Sequence, residues 1–152
     1  MNSKISNSKI GDNTTIENST IIDSEVGENT SVGPYAYLRP NSKLGNNVKI
    51  GDFVEVKNAT IEDNSKASHL SYIGDAYVGK DVNIGCGVVF VNYDGKNKHK
   101  SIVKDGAFIG SNSNLVAPVT INEKGYIATG STITKDVPQG ALAVARKRRE
   151  NK

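Results

Sequence analysis

An aliphatic residue recurs at nearly every sixth position of this chain. Most steps are six residues, the exceptions are five, and one longer gap interrupts the series. A helix cannot use this period, because each apolar residue would turn to a different face. Alternating strands would show a period of two, which is absent over any useful length. The repeated positions are Ile10, Ile16, Ile21, Val26, Val32, Leu38, Leu44, Ile50, Val56, Ile61, Ala67, Ile73, Val78, Ile84, Phe90, Val103, Ile109, Leu115, Ile121, Ile127 and Ile133.

A period of six is typical of short strands joined by turns. The aliphatic side chain points inward, and Gly, Asn or Asp supplies the turn conformation, as in "IGDN" and "VGEN". Three such strands make one triangular coil of about 18 residues, and stacked coils make a parallel β-helix. The regularity argues against a disordered low-complexity chain. We therefore predict an all-β fold, a hexapeptide-repeat solenoid over residues 1–136.

Two segments depart from the repeat. The stretch "NYDGKNKHKS" lacks an inward aliphatic residue, so we expect a loop at 91–102 to leave the coil, where loops often carry function. After Pro138 an Ala, Leu and Arg run replaces the hexads. This run predicts a short C-terminal helix and tail over 137–152.

Composition narrows the class of protein. The 152 residues are 36% hydrophobic and only 6% aromatic, with no Trp, which suits one domain with a narrow aliphatic interior. The net charge is +3, and much of this excess lies in the tail "RKRRENK". The body therefore lacks the basic stripe and interleaved aromatics of a nucleic-acid binder.

Cysteine usage and hydropathy indicate the compartment. The single Cys86 excludes an internal disulfide framework and suits a reducing cytoplasm. No apolar run approaches the roughly 18 residues of a membrane span, and the polar start is not typical of a signal peptide. We expect a cytoplasmic domain without nucleic-acid or membrane partners.

Seven ordered blocks resemble one known family. They are "VGPYAYLRP", "GDFVEVK", "SKASHLSYIGDA", "VNIGCG", "VNYDGKNK", "SNSNLVAPV" and "ALAVAR". Over about residues 5–148 the chain is similar to the acetyltransferase domain of the bifunctional N-acetylglucosamine-1-phosphate uridyltransferase/glucosamine-1-phosphate N-acetyltransferase. The resemblance implies a left-handed β-helix and a homotrimer with active sites between subunits. The nucleotidyltransferase domain of that family is absent from these residues, so we do not expect uridyltransferase activity from them.

The reaction implied by the resemblance moves an acetyl group from acetyl-CoA to the amine of glucosamine 1-phosphate by direct attack, without a metal. Its product, N-acetylglucosamine 1-phosphate, serves UDP-N-acetylglucosamine and cell-wall precursor synthesis. The amine is largely protonated near neutral pH, and histidine is the natural general base. His69 matches the catalytic base of the family, although a lone histidine is more often structural. Glu55, somewhat less than one coil earlier, matches a residue that would orient His69.

A sugar phosphate needs cations and hydrogen-bond donors. Arg39 and Lys57 are one full coil apart in the sequence, so we expect them on one face of neighbouring coils. Lys98 in the loop matches a third cationic position of the family. Tyr72 and Asn83 match positions that hold the sugar and phosphate, although Tyr72 would also serve as packing between coils.

The resemblance also implies a cofactor site along the solenoid. A backbone N–H near Cys86 would donate to the developing oxyanion. A covalent acyl-enzyme at Cys86 is disfavoured, because no histidine is near it in the sequence. Turn chemistry alone is an alternative reading of "SNSNLVAPV". The residues that match CoA contacts are Cys86, Asn92, Tyr93, Ser111, Thr129 and Arg146, with Thr129 where the family commonly has Ala.

Two alternatives stay open. One is an acetyltransferase of the same fold that acts on another amino sugar or on a sugar hydroxyl. The other is a non-catalytic trimeric scaffold. An ice-binding solenoid needs a sustained ladder of Thr, which this chain lacks.

Overall fold

The computed structural model describes residues 2–152, which form a parallel β-solenoid of about eight turns. The prediction of a hexapeptide-repeat solenoid is confirmed. Within residues 2–152 the strands are β1 (Lys4–Ser6), β2 (Lys9–Ile10), β3 (Thr15–Ile16), β4 (Thr20–Ile22), β5 (Glu25–Val26), β6 (Ser31–Val32), β7 (Tyr37–Leu38), β8 (Lys43–Leu44), β9 (Lys49–Ile61), β10 (Lys66–Val78), β11 (Asn83–Ile84), β12 (Val89–Val91), β13 (Ser101–Val103), β14 (Phe108–Ile109), β15 (Asn114–Val116), β16 (Val119–Ile121), β17 (Tyr126–Ile127), β18 (Thr132–Ile133) and β19 (Leu142–Ala143).

The strands stack in parallel on three faces. The first face runs through β1, β4, β7, the middle of β9 and β10, β12, β15 and β18. The second face runs through β2, β5, β8, the ends of β9 and β10, β13 and β16. The third face runs through β3, β6, the starts of β9 and β10, β11, β14, β17 and β19. The left-handed sense of the coil stays a prediction.

The predicted inward residues make the core. All of them from Ile21 to Ile133 are buried, and Phe90 is the largest fully buried side chain. Ile10 is exposed and Ile16 is half-buried, contrary to the prediction for the first coil. The strands that carry them pair on one side only, with β5 and β6, so within residues 2–152 nothing stacks on their other side. Burial in a solenoid requires both neighbouring coils.

Small residues near the corners form a second inward set that the hexad pattern did not single out. Ser65 is fully buried, and its hydroxyl donates to the carbonyl of Gly79 at 2.6 Å. The same hydroxyl accepts from the N–H of Val82 at 2.9 Å. Such bonds satisfy backbone groups that leave the strand ladder at the corners.

Left-handed backbone conformations turn the chain at its corners. Asn fills many of these positions, for example Asn47 and Asn64, because Asn tolerates positive φ better than most residues. Tyr35, Phe53 and Leu70 also have positive φ, at 57°, 58° and 45°. Positive φ is uncommon for bulky side chains, and such strain gathers at functional sites.

One loop leaves the coil between Val91 and Ser101. Tyr72 pairs with Val89 one ordinary coil later, but the next step on the same face, from Val89 to Asn114, takes a distinctly longer stretch of chain. The additional residues form the loop, which an antiparallel bridge between Tyr93 and Lys98 holds together.

The predicted C-terminal helix over 137–152 was wrong. Val137 bridges to Ile121, and Leu142–Ala143 forms β19, which pairs with β17. The solenoid therefore continues past residue 136. Strand pairing with the preceding coil overrides the helix propensity of the Ala and Leu residues. No helix occurs anywhere in the described range, so no helix long and apolar enough to cross a membrane is found there.

Candidate active site

His69 lies at the corner where the third face turns into the first. Its Nδ1 is 3.1 Å from Oδ1 of Asp52, and the two residues are paired in register between β9 and β10. Both side chains are open to solvent. The carboxylate of Asp52 holds the imidazole at Nδ1, and Nε2 is free to contact another group.

The prediction that Glu55 lies beside His69 does not hold within one chain. Glu55 pairs in register with Tyr72 rather than with His69. Its carboxylate oxygen Oε2 instead accepts from Nη1 of Arg39 at 3.1 Å. The residue one full coil before His69 is Asp52, whereas Glu55 lies less than one coil before it.

Four residues stack along this corner on successive coils: His69, Cys86, Ser111 and Thr129. From each coil to the next, paired residues in the strand before the corner are separated by a certain number of residues in the sequence. Paired residues in the strand after the corner are separated by the same number. Equal shifts on both sides place these residues at equivalent positions. Neighbouring strands are about 4.8 Å apart, so the row spans roughly 14 Å. We call it the histidine corner.

Arg146 closes the C-terminal end of the histidine corner. Its guanidinium Nη1 donates to the backbone carbonyl of Thr129. Arg146, Lys147, Arg148 and Arg149 line a cavity of about 400 Å³ together with Val144. Cys86, in the middle of the row, is half-buried with a free thiol.

Arg39 and Lys57 lie at equivalent positions of neighbouring coils on the first face, because Leu38 pairs with Val56. This is the placement that their spacing predicts. Each cation, however, already has a carboxylate partner within the chain. Arg39 pairs with Glu55 at 3.1 Å, and Lys57 pairs with Asp75 at 3.1 Å. Their charges are therefore largely compensated.

Asp75 joins several of the predicted residues and was missed from the sequence. Its carboxylate accepts from Nζ of Lys57, from Nδ2 of Asn58 at 2.9 Å and from Nδ2 of Asn92 at 2.7 Å. Asn92 Nδ2 also donates to the hydroxyl oxygen of Tyr72 at 3.0 Å. The spacing rule used for Arg39 and Lys57 would have found Asp75, which follows Lys57 by the same interval.

Asn92 and Tyr93 do not reach the histidine corner of their own chain. Asn92 is buried at the other end of the first face, beside Asp75. The Tyr93 hydroxyl donates to the carbonyl of Gly95 at 2.9 Å. Nζ of Lys98 lies 5.1 Å from the centroid of the Tyr93 ring, a cation–π geometry.

The loop is held by Asp94 and borders a cleft. Asp94 accepts from the backbone N–H groups of Asn97 and Lys96 at 2.7 and 2.8 Å, and it lies 2.7 Å from Nε2 of His99. The N–H of Asn97, the His99 ring and the N–H of Lys96 lower the pKa of Asp94 to about 2. The cleft measures about 340 Å³. Its lining is Asn41, Asn58, Ala59, Thr60, Asp75, Ala76, Lys98, His99 and Lys100.

Asn83 lies on the third face, between Lys66 and Phe108 in register. The histidine corner separates it from Tyr72 and Lys57, which lie on the first face. One chain therefore divides the predicted substrate residues between two faces that point in different directions.

Known proteins with similar sequences include hexapeptide transferases and GlmU proteins. A profile described as bacterial transferase hexapeptide (six repeats) matches residues 23–58. Bifunctional protein GlmU of Clostridioides difficile (strain 630) is 83% identical over 148 residues, which is 97% of this chain and 32% of that protein. GlmU of Alkaliphilus oremlandii (strain OhILAs) is 70% identical over 152 residues, which is 100% of this chain and 33% of that protein. By sequence, nearly the whole chain is therefore similar to one part of the GlmU proteins. It spans about one third of the length of these curated relatives.

Solved structures share the fold of this chain. The polySia-specific acetyltransferase NeuO aligns with a TM-score of 0.74 at 15% identity, over 95% of this chain and 76% of that one. A mutant of perosamine N-acetyltransferase from Caulobacter crescentus, in complex with CoA and GDP-perosamine, aligns with a TM-score of 0.64 at 18% identity. That alignment covers 83% of this chain and 65% of the other. At these identities the likeness concerns the fold.

Proposed function

We propose that this chain transfers the acetyl group of acetyl-CoA to the amine of glucosamine 1-phosphate, which gives N-acetylglucosamine 1-phosphate for cell-wall precursor synthesis. The observation that carries the proposal is the 83% identity to a GlmU protein across 97% of the chain. The residues that match the acetyltransferase motif, His69 above all, supply the chemistry.

His69 is the general base of the proposed reaction. The neutral amine nitrogen bonds to the acetyl carbonyl carbon, and its proton passes to the imidazole. The thioester C–S bond then breaks, and CoA leaves as a thiolate that takes the proton from the imidazolium. Because Asp52 faces Nδ1, the nitrogen that takes this proton is Nε2. Asp52 has the orienting role that the resemblance assigns to Glu55, and Glu55 holds Arg39 in place.

Acetyl-CoA lies along the histidine corner in this proposal. The row from His69 to Thr129 offers an extended surface with Cys86 and Ser111 between them, and the cationic Arg146 stands at its end, where a phosphate group of the cofactor would be bound. The backbones of neighbouring coils are closely packed at this corner. A Cβ atom added at Gly85 would lie 2.7 Å from the N atom of Ser111. A perosamine N-acetyltransferase mutant with a similar fold has been solved in complex with CoA.

The sugar phosphate is held by Arg39, Lys57, Lys98, Tyr72 and Asn83 in this proposal. Lys98 is exposed. Among residues 2–152, the ring of Tyr93 is the only group that its ammonium contacts. Its charge is therefore available to a phosphate, whereas Arg39 and Lys57 share theirs with Glu55 and Asp75.

We also propose that the chain works as a homotrimer with sites between subunits. Tyr35, Phe53 and Leu70 stack at the histidine corner, and each is more than half exposed. Phe53 directly follows Asp52 in the chain, and Leu70 directly follows His69. An exposed apolar ridge with unfavourable backbone angles is typical of a surface that another molecule covers. Asn83, Asn92 and Tyr93 would meet the histidine corner of a second copy.

The test is a thiol-release assay with acetyl-CoA and glucosamine 1-phosphate, on the wild type and on His69→Ala. We expect at least about a 100-fold loss of turnover in the variant, as for removal of a general base. Unchanged turnover in His69→Ala would remove the base from the proposal. A wild type without turnover on any sugar would favour the non-catalytic scaffold.

One observation favours a second acceptor, an unphosphorylated amino sugar or a sugar hydroxyl. The carboxylates of Glu55 and Asp75 neutralise two of the three cations assigned to the phosphate. The same assay with glucosamine separates the two acceptors. We expect a much higher rate with glucosamine 1-phosphate, and equal rates would overturn the phosphorylated substrate.

A further inference from the structure

Asp75 is a buried carboxylate with a full set of donors. It is 8% exposed and lies where the first face turns into the second. One oxygen accepts from Lys57 and Asn58, and the other accepts from Lys57 and Asn92. These donors come from two different segments, one in β9 and one at the start of the extruded loop.

These donors keep Asp75 ionised. Burial by itself would raise the pKa of Asp75, but hydrogen bonds from Asn58, Lys57 and Asn92 and the charge of Lys57 hold it below the usual value. An ionised carboxylate can only accept hydrogen bonds. Every group that faces Asp75 must therefore donate, and this requirement fixes the orientation of the Asn92 amide.

The orientation of Asn92 in turn decides what Tyr72 can do. Its Nδ2 group uses one hydrogen for Asp75 and the other for the oxygen of Tyr72. Because the Tyr72 oxygen accepts from Asn92, its own O–H hydrogen must point to a different partner. A half-buried tyrosine in this state offers a donor toward the surface of the first face.

We propose that Asp75 is a positioning residue that turns the Tyr72 hydroxyl into a hydrogen-bond donor toward the acetyl acceptor and fixes the Lys57 ammonium beside it. This inference rests on the proposed function, because it takes the acceptor to be an amino-sugar phosphate bound at Tyr72 and Lys57. Asp75 itself does not touch the substrate.

The key variant is Asp75→Asn, which keeps the shape and removes the charge. An amide at this position can donate to Asn92, so Asn92 can turn its oxygen toward Tyr72. The Tyr72 hydroxyl then donates to Asn92 instead of the substrate. We expect KM for glucosamine 1-phosphate to rise about tenfold or more, as for loss of a hydrogen bond in a charged network. KM for acetyl-CoA should change less than about twofold.

Asp81→Asn is the matched control. Asp81 is exposed, it has a positive φ of 55° that Asn tolerates, and its substitution should leave both KM values unchanged. The double variant Asp75→Asn/Tyr72→Phe measures the coupling. In the Tyr72→Phe background, Asp75→Asn should raise KM much less than in the wild type. Equal effects in both backgrounds would show that Asp75 does not act through Tyr72.

A second measurement does not depend on activity or on the stability of the variant. In the full-length wild type, both side-chain amide protons of Asn92 should be protected from solvent exchange in NMR spectra, since both are hydrogen-bonded. Rapid exchange of either proton would overturn the inference even if Asp75→Asn does not fold. If the wild type fails to acetylate glucosamine 1-phosphate while these protons are protected, the proposed substrate is wrong and the hydrogen-bond network stands.

Discussion

Oδ1 of Asp52 lies 3.1 Å from Nδ1 of His69, in the same row of two adjacent coils. In the proposed reaction, a carboxylate in this position fixes the ring orientation and stabilises the imidazolium that forms when His69 takes a proton. Glu55, further along the same strand, faces Arg39 instead. The two acidic residues therefore have separable roles.

Substituting the two carboxylates one at a time should separate these roles. We expect Asp52→Asn to lower kcat about tenfold with little change in either KM, because the base loses its orienting partner. Glu55→Gln should mainly change KM for the sugar phosphate, through Arg39. Steady-state kinetics on both variants check this. A larger fall of kcat in Glu55→Gln than in Asp52→Asn would reverse the assignment.

Cys86 lies next to His69 in the histidine corner but has no catalytic role in our proposal. Cys86→Ala should retain most of the wild-type kcat, because the corner needs a small residue there and the acetyl group passes directly to the amine. In the wild type, iodoacetamide should inactivate the enzyme, and acetyl-CoA should protect it. Loss of activity in Cys86→Ala, with the fold intact by circular dichroism, would point to an acyl-enzyme.

A substitution at Leu70 tests the role of the exposed apolar ridge formed by Tyr35, Phe53 and Leu70. Leu70→Asn removes the exposed apolar side chain and keeps a residue that tolerates the positive φ of 45°. If the chain forms the proposed trimer, the trimer of this variant should dissociate at higher protein concentrations than that of the wild type, measured by sedimentation over a dilution series. Lys124→Asn is the control, since Lys124 has a similar φ of 56° at a different corner. A trimer unaffected by Leu70→Asn would place the interface elsewhere.

Phe90 tests the core. It is 0% exposed, and Phe90→Ala should lower the free energy of unfolding by about 3–5 kcal/mol, as for other buried Phe to Ala changes. Val89 is its outward neighbour on the same strand and is 37% exposed, so Val89→Ala should cost about 1 kcal/mol or less. Urea unfolding at one fixed protomer concentration compares the two. Equal losses would contradict the inward placement of Phe90.

Asp94 should keep the loop ordered in moderately acidic solution. Its pKa is lowered to about 2 in the folded chain. The stabilisation from its hydrogen bonds to the loop is therefore fully present above the ordinary carboxyl pKa of about 4 and is lost as the pH falls through 2. NMR shifts of the Lys96 and Asn97 amides should report this transition between pH 4 and 2. At neutral pH, Asp94→Ala should speed the solvent exchange of both amides. Slow exchange in that variant would mean that other contacts hold the loop.

Much of the fold could be predicted from the sequence for a simple physical reason. A period of six leaves few geometries that bury every aliphatic residue, and the buried series from Ile21 to Ile133 follows it directly. The one-coil spacing of Arg39 and Lys57 likewise placed them on one face. Local chemistry also predicted Asn at the turning positions.

The tertiary structure alone decided the contacts between coils. Coil length varies, so the one-turn step back from His69 ends at Asp52, and no uniform period identifies that partner. Lys57, Asp75 and Asn92 follow one another at about one coil, but the hydrogen bonds that join them depend on side-chain directions that the spacing does not give. At the C-terminus, Leu142 and Ala143 pair with β17 because an open strand edge offers backbone hydrogen bonds that local helix propensity cannot match.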